Sequence, residues 1–214
     1  MKFDIITIFP KIFDSYFKES IVKRAQEKKK VKIVVHDLRK YTKDKHKKVD
    51  DRPYGGGPGM ILKVEPIYKA LQKIKRHKKS RIILLTPKGR HFTQKTAQKM
   101  AKYQQIVLIT GHYEGFDERV RKLVDEEISI GQYVLTGGEI PAMVLVDAIT
   151  RLIPGVLGHE HSVQDETYSK DLDYIEYPQY TRPARFKKWL VPKILLSGNH
   201  QQIADWRKGK AGKR

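Results

Sequence analysis

The 214-residue sequence contains no cysteine. Disulfides, a thiolate nucleophile and Cys-ligated zinc or iron–sulfur sites are therefore excluded. Long apolar runs are missing too, and no stretch approaches the ~18 residues that indicate a membrane span. The opening "MKFDIITIFPK" has one Lys before its apolar run and no small-residue cleavage site. It reads as a first strand, not a signal peptide, and a cytoplasmic location is expected. Neither G-x-G-x-x-G nor G-x-x-x-x-G-K-S/T occurs, so a standard dinucleotide fold and NTP hydrolysis lack their signatures. H-E-x-x-H is absent among eight histidines, and "GHEH" places His159 and His161 on an expected loop. That is a weak basis for a transition-metal site.

Acidic residues are scarce relative to basic ones. Lys and Arg number 44 against 24 Asp and Glu, a formal charge of +20. Such an excess repels itself unless an anion is bound. Nucleic acid is the first candidate partner and an anionic membrane surface the second. The charge is uneven. "RKYTKDKHKK" (39–48) and "KALQKIKRHKKSR" (69–81) are basic, and Arg182 to Arg214 holds ten bases against the single acid Asp205. "EGFDERVRKLVDEE" (114–127) is acidic instead. With 39% hydrophobic residues the chain can bury a core, enough for one domain and a small appendage.

Apolar runs at 3–9, 31–38, 80–86, 105–110 and 130–135 read as strands. Segments 12–29, 65–76, 93–103, 118–127 and 140–153 read as helices. Their alternation predicts a mostly parallel α/β sheet with helices on both faces. "PKG" is expected to break the third strand. Residues 159–180 lack a period and read as a linker. "RFKKWLVPKILLSG" and "NHQQIADWRKG" then predict two short helices in a small basic domain.

Glycine-rich loops follow three of the strands, where an open α/β sheet has its ligand crevice. Singly, each could be an ordinary turn. Together they suggest backbone shaped around a ligand, since glycine permits close approach. "DDRPYGGGPGM" (50–60) adds a fourth open loop. In "TGHYEGFDERV" (110–120), Tyr113 could stack on a purine and Glu114 could accept an N–H, while Asp117 could cap the following helix. Glu139 in "SIGQYVLTGGE" reads either as a helix-start carboxylate or as a site contact.

These pieces resemble the bacterial tRNA (guanine-N1)-methyltransferases. The matching stretches are "FDIITIFP" (3–10), "PYGGGPGM" (53–60), "TPKG" (86–89), "GHYEGFDERV" (111–120), "SIGQYVLTGGE" (129–139), "RLIPGVLG" (151–158), "YTRP" (180–183) and "LLSGNHQQIADWR" (195–207). They run in order over nearly the whole chain. The resemblance implies a deep trefoil knot in the sheet domain, an exception to the rule against knots. It implies a homodimer with active sites at the interface, and a domain at 1–158, a linker at 159–176 and a tRNA-binding domain at 177–214 that is shorter than usual.

The resemblance also implies a reaction. S-adenosyl-L-methionine would give its methyl group to N1 of the guanine just 3′ of the anticodon, position 37, with magnesium assisting from an unassigned site. The first cofactor loop would use Leu84, Leu85, Thr86, Pro87 and Gly89. The second would use Gly111, Tyr113, Glu114 and Gly115. The third would use Ser129, Ile130, Gly131, Tyr133, Leu135, Gly137 and Gly138. The tRNA anticodon arm would meet Tyr54, Gly55, Gly57, Tyr113, Glu114, Arg119, Arg182, Ser197, Asn199 and His200. Guanine N1 must lose a proton, so a base and a cation near O6 are required. Arg151 matches the cation. The family's aspartate base falls at Glu166 in "QDETY", with Asp165 before it. Alternatives are a related knotted enzyme acting on another RNA, and a non-catalytic RNA-binding protein.

Overall fold

The structure, a computed structural model, describes residues 1–158, 166–171 and 173–213. The chain divides into two compact units, Met1–Gly158 and His159–Arg214. In the first unit, β1 (Lys2–Thr7) leads to a 3₁₀ turn at Pro10–Phe13, then α1 (Asp14–Phe17) and α2 (Ser20–Glu27). The single helix expected over 12–29 is broken because Ser20 adopts φ 49°. Gln26 Nε2 donates to the Phe17 carbonyl at 2.8 Å, closing that break. Then follow β2 (Lys32–Asp37), short strands β3 (Asp50–Asp51) and β4 (Ile61–Leu62), and α3 (Val64–Lys73). The unit continues with β5 (Ser80–His91), α4 (Gln94–Met100), β6 (Gln105–Thr110), β7 (Glu126–Ser129) and α5 (Glu139–Thr150).

Five strands form one sheet in the order β2-β1-β6-β5-β7, with every pairing parallel. Side chains alternate along each strand and feed two cores. Phe3, Ile5, Ile83, Leu85, Ile106 and Leu108 pack under α1, α2, α4 and α5. Ile6, Ile82, Leu84, Val107 and Ile109 pack on the opposite face with Ile67 and Ala70 of α3. Both faces are covered, as the near-continuous apolar strands predict.

Two expectations fail here. Residues 118–127 form a short 3₁₀ segment, Glu118–Leu123, followed by the start of β7. The strand expected at 130–135 therefore lies earlier. The acids hid it: as an edge strand, β7 carries Glu126 and Glu127 paired with Arg90 and Arg121. Residues 130–135 are instead bends and irregular backbone. Second, "PKG" does not end β5. The strand bulges and resumes, so that Leu85 and Arg90 both register against Ile128.

In the second unit, β8 (Tyr174–Ile175) pairs antiparallel with β11 (Gly212–Lys213), within the stretch expected to lack structure. β9 (Arg185–Phe186) and β10 (Trp189–Leu190) form a hairpin where a helix was predicted, and a 3₁₀ turn follows at Lys193–Leu196. Pro192 lacks an N–H and separates the two elements. α6 (His200–Lys210) matches the second predicted helix.

Candidate active site

Three segments, the bulge within β5 and the loops after β6 and β7, enclose a cleft of ≈ 280 Å³. The first is the β5 bulge. Gly89 lies so close to β7 that a Cβ would stand 2.4 Å from the Ile128 nitrogen. That tight return makes Thr86, Pro87 and Lys88 overhang the cleft.

The second loop, 111–116, is laced to β4. Leu62 N donates to the Gly115 carbonyl and Asp117 N to the Leu62 carbonyl, each at 2.9 Å. Glu114 N donates to the Met60 carbonyl at 3.0 Å, and its side chain packs on Gly59. This holds the glycine-rich 53–59 loop beside the second wall. Tyr113 adopts φ 60°, and its ring is half-exposed.

The third loop runs from β7 back to α5. Gly131 lies beneath the Tyr133 ring, and Ser129 Oγ donates to the Gly131 carbonyl at 2.9 Å. Gly137 forms a bridge with His112, and Gly138 N donates to the Gly111 carbonyl at 2.8 Å. A Cβ on Gly138 would meet Gly111 N at 2.7 Å and Thr110 Cα at 2.8 Å. Neither glycine has a positive φ. Both are needed for the close approach of the third loop to the second.

Beneath the cleft lies Glu139, the first residue of α5, buried to 4% exposure. Its Oε1 accepts from Thr7 Oγ1 at 2.8 Å and Thr110 Oγ1 at 3.1 Å. The α5 amino terminus favours its negative charge. Glu139 thus pins three elements at the cleft floor, in keeping with the helix-start reading. His112 packs edge-on against Phe9 and Tyr113.

The cleft brings together fourteen of the sixteen predicted cofactor residues: Leu85, Thr86, Pro87, Gly111, Tyr113, Glu114, Gly115, Ser129, Ile130, Gly131, Tyr133, Leu135, Gly137 and Gly138. Leu84 points into the core on the other face, as strand alternation requires, and Gly89 serves the bulge. Sequence reasoning missed Lys88, His112, Phe116, Ile128, Val134, Thr136 and Pro141 as lining residues. Lys88, His112, Phe116, Val134 and Thr136 were inside quoted motifs; only Ile128 and Pro141 lay outside them.

Of the expected RNA-facing residues in this unit, Tyr54 is fully exposed between the prolines of a loop where Gly55 and Gly57 have φ 84° and 123°. Arg119 is held by both carboxylate oxygens of Asp117, at 2.9 and 2.6 Å. That pairing raises the Arg119 guanidinium and lowers the Asp117 carboxyl. Arg151 closes α5, its N–H donating to the Asp147 carbonyl at 3.2 Å.

Glu166, Arg182, Ser197, Asn199 and His200 belong to the second unit, and Asp165 lies outside the described residues. The Glu166 carbonyl accepts from Ser169 N at 2.9 Å. Asn199 caps α6 by accepting from Gln202 N at 3.1 Å, and Ser197 Oγ accepts from Asn199 N at the same distance. Both therefore have a local role in starting the helix that opens at His200. Among the described residues, no three His, Cys, Asp or Glu side chains gather as a metal site. No described helix is long and apolar enough to cross a membrane.

The family model described as tRNA (Guanine-1)-methyltransferase TrmD matches residues 1–214. The tRNA (guanine-N(1)-)-methyltransferase of Geobacillus kaustophilus is 55% identical over 209 residues, covering 97% of this chain and 85% of its own. That of Dictyoglomus turgidum is 52% identical over 214 residues, covering 100% and 86%. That of Staphylococcus epidermidis is 52% identical over 208 residues, covering 97% and 84%.

Proposed function

The chain belongs to the tRNA (guanine-1)-methyltransferase family and is an S-adenosylmethionine-dependent enzyme methylating guanine in tRNA; on that footing we propose that the three-loop cleft is its cofactor site and the target is N1 of the guanine 3′ of the anticodon. The observation that carries this reading is the set of glycines at the cleft walls. Cβ atoms at Gly111, Gly131 and Gly137 would collide with Phe116, Tyr133 and the Glu139–His112 pair. The walls are therefore drawn in closely around a small, mostly apolar space with a few polar groups, which suits an adenosine-sized ligand. S-adenosylmethionine, when bound, supplies a methyl group on a sulfonium.

The chain's own residues must do three things. They must align guanine N1 with the donor, remove its proton and stabilise charge on O6. Tyr113, half-exposed at the cleft rim, suits stacking on the base. Glu166 is assigned as the base and Arg151 as the O6 cation, with Asp165 as the alternative base. Magnesium assistance would draw on scattered carboxylates.

The return of the chain from the edge strand β7 across the ends of β5 and β6 to α5 supports a knotted crossing at 129–158. Exposed Ile12, Tyr16, Ile140 and Val144 support a homodimer built on the 10–13 turn, α1 and α5. Tyr16 donates to Asp147 there, and this carboxylate pushes the phenol up to about 12. The proposed division is a cofactor domain at 1–158, a linker at 159–176 and a tRNA-binding domain at 177–214. Single-turnover methylation of an anticodon-arm RNA by E166Q, D165N and R151A variants tests the roles. E166Q and R151A should each lose at least about 100-fold. An active E166Q beside a dead D165N would move the base to Asp165.

A further inference from the structure

The β9–β10 hairpin presents an aromatic pair where a core pair would normally be buried. Phe186 and Trp189 face each other across the ladder. Their rings stack with centroids 5.8 Å apart and planes 30° from parallel. Yet Phe186 is 56% exposed, Trp189 60% and the adjacent Leu190 65%. An exposed cross-strand pair of this kind leaves broad aromatic surface open to solvent.

The surroundings are wholly cationic along the chain. Arg182, Arg185, Lys187, Lys188 and Lys193 lie between residues 182 and 193, with no acid among them. Arg185 Nε donates to the Lys187 carbonyl at 2.9 Å, which fixes the guanidinium beside the turn. Lys187 Nζ lies 5.7 Å from the Phe186 ring centroid. Lys187 itself adopts φ 53° in a two-residue turn, a position glycine fills without cost. A lysine is thus held at the tip against its backbone preference.

We propose that this hairpin is a stacking platform for unpaired nucleotides of the tRNA substrate. Bases lie on the open faces of Phe186 and Trp189, while Arg185, Lys187 and Lys188 meet the flanking phosphates. Aromatic faces interleaved with cations match single-stranded nucleic acid in both shape and charge. A duplex would satisfy the cations alone, because its bases are already stacked on one another. The inference rests on tRNA being the substrate and adds a contact distinct from the methylation cleft.

The test uses the full chain. Trp206 is the only other tryptophan, so a W206F background isolates Trp189 fluorescence. A five-nucleotide unpaired RNA should quench that signal, and the same sequence held in a duplex should not. F186A and W189A should each weaken tRNA binding by about 5- to 150-fold. Cofactor affinity, oligomeric state and Tm should stay at wild-type values. K187G should leave the hairpin at least as stable and still weaken tRNA binding, because it relieves the backbone while removing a charge. Equal quenching by duplex, or unchanged tRNA affinity in both aromatic variants, overturns the platform. So does a lowered Tm or a dissociated oligomer in W189A, which would mean the rings pack on protein. Wild-type methylation of tRNA, measured alongside, separates failure of the platform from failure of the assigned activity.

Discussion

Glu139 Oε2 stands 4.0 Å from His112 Nδ1, and the backbone of Gly137 is packed against both. A Cβ at 137 would lie 2.3 Å from the carboxylate oxygen and 2.6 Å from the ring nitrogen. Glu139 Oε1 is occupied by Thr7 and Thr110. One carboxylate thus ties β1, β6 and α5 together and lies against the second and third cleft loops.

G137A is therefore expected to displace the Glu139–His112 pair and reshape the cleft. Overpacking of this kind costs about 1–3 kcal/mol of folding stability, and the reshaped cleft should bind the cofactor more weakly. Calorimetric titration with S-adenosylmethionine, alongside a Tm measurement to confirm folding, checks it. Wild-type affinity in G137A would mean the close packing of the third loop is irrelevant to binding.

E139A should leave the Thr7 hydroxyl without its buried acceptor, while Thr110 keeps the Ile6 carbonyl at 3.0 Å. The expected cost is about 1–3 kcal/mol. For a chain of this size that corresponds to a Tm lower by roughly 2–12 °C. E139Q retains an acceptor and should lose less. A Tm unchanged in E139A would remove Glu139 from its structural role.

Asp4 gives a pH prediction at the opposite end of the sheet. Burial alone pushes its carboxyl up, but hydrogen bonds from His36, Lys2 and Gln105 outweigh this and hold it below the usual value. A depressed folded-state value stabilises the protein fully above the unfolded value of about 3.9. That stabilisation is lost as pH falls through the folded value. D4N should therefore be less stable by roughly 1–3 kcal/mol near neutrality. The gap to wild type should narrow below about pH 4. Denaturant melts of both proteins at several pH values decide it, and a gap independent of pH would contradict the linkage.

Binding of tRNA should weaken steeply with salt. If six phosphates are engaged, affinity should fall roughly 10³-fold between 50 and 200 mM salt. Fluorescence anisotropy with a labelled anticodon arm measures the slope. A flat slope would assign the +20 charge to something other than RNA.

Much of the first unit was legible because its signals are local. The apolar strands at β1, β5 and β6 alternate between two cores, and α3 and α5 keep their predicted positions. The cleft was legible because glycine pairs marked where loops approach one another. β7 was not, since its exposed-edge glutamates gain their partners only when Arg90 and Arg121 arrive from elsewhere. The β9–β10 hairpin was missed because "RFKKWLVP" has no glycine at its turn, and Lys187 takes the left-handed position instead. "SIGQYVLTGGE" changed most in meaning. Its terminal glycines allow chain-to-chain contact against Gly111 and Thr110, and its glutamate holds the floor.

The most direct measurement is methyl transfer from labelled S-adenosylmethionine to an anticodon-arm RNA, with the modified atom identified by mass spectrometry and primer extension. The account predicts one methyl group on N1 of the guanine 3′ of the anticodon, and none on an RNA carrying adenine there. It also predicts that G137A loses this activity in parallel with cofactor affinity. Methylation at another atom or position, or full activity in a variant whose cleft no longer binds the cofactor, would contradict it.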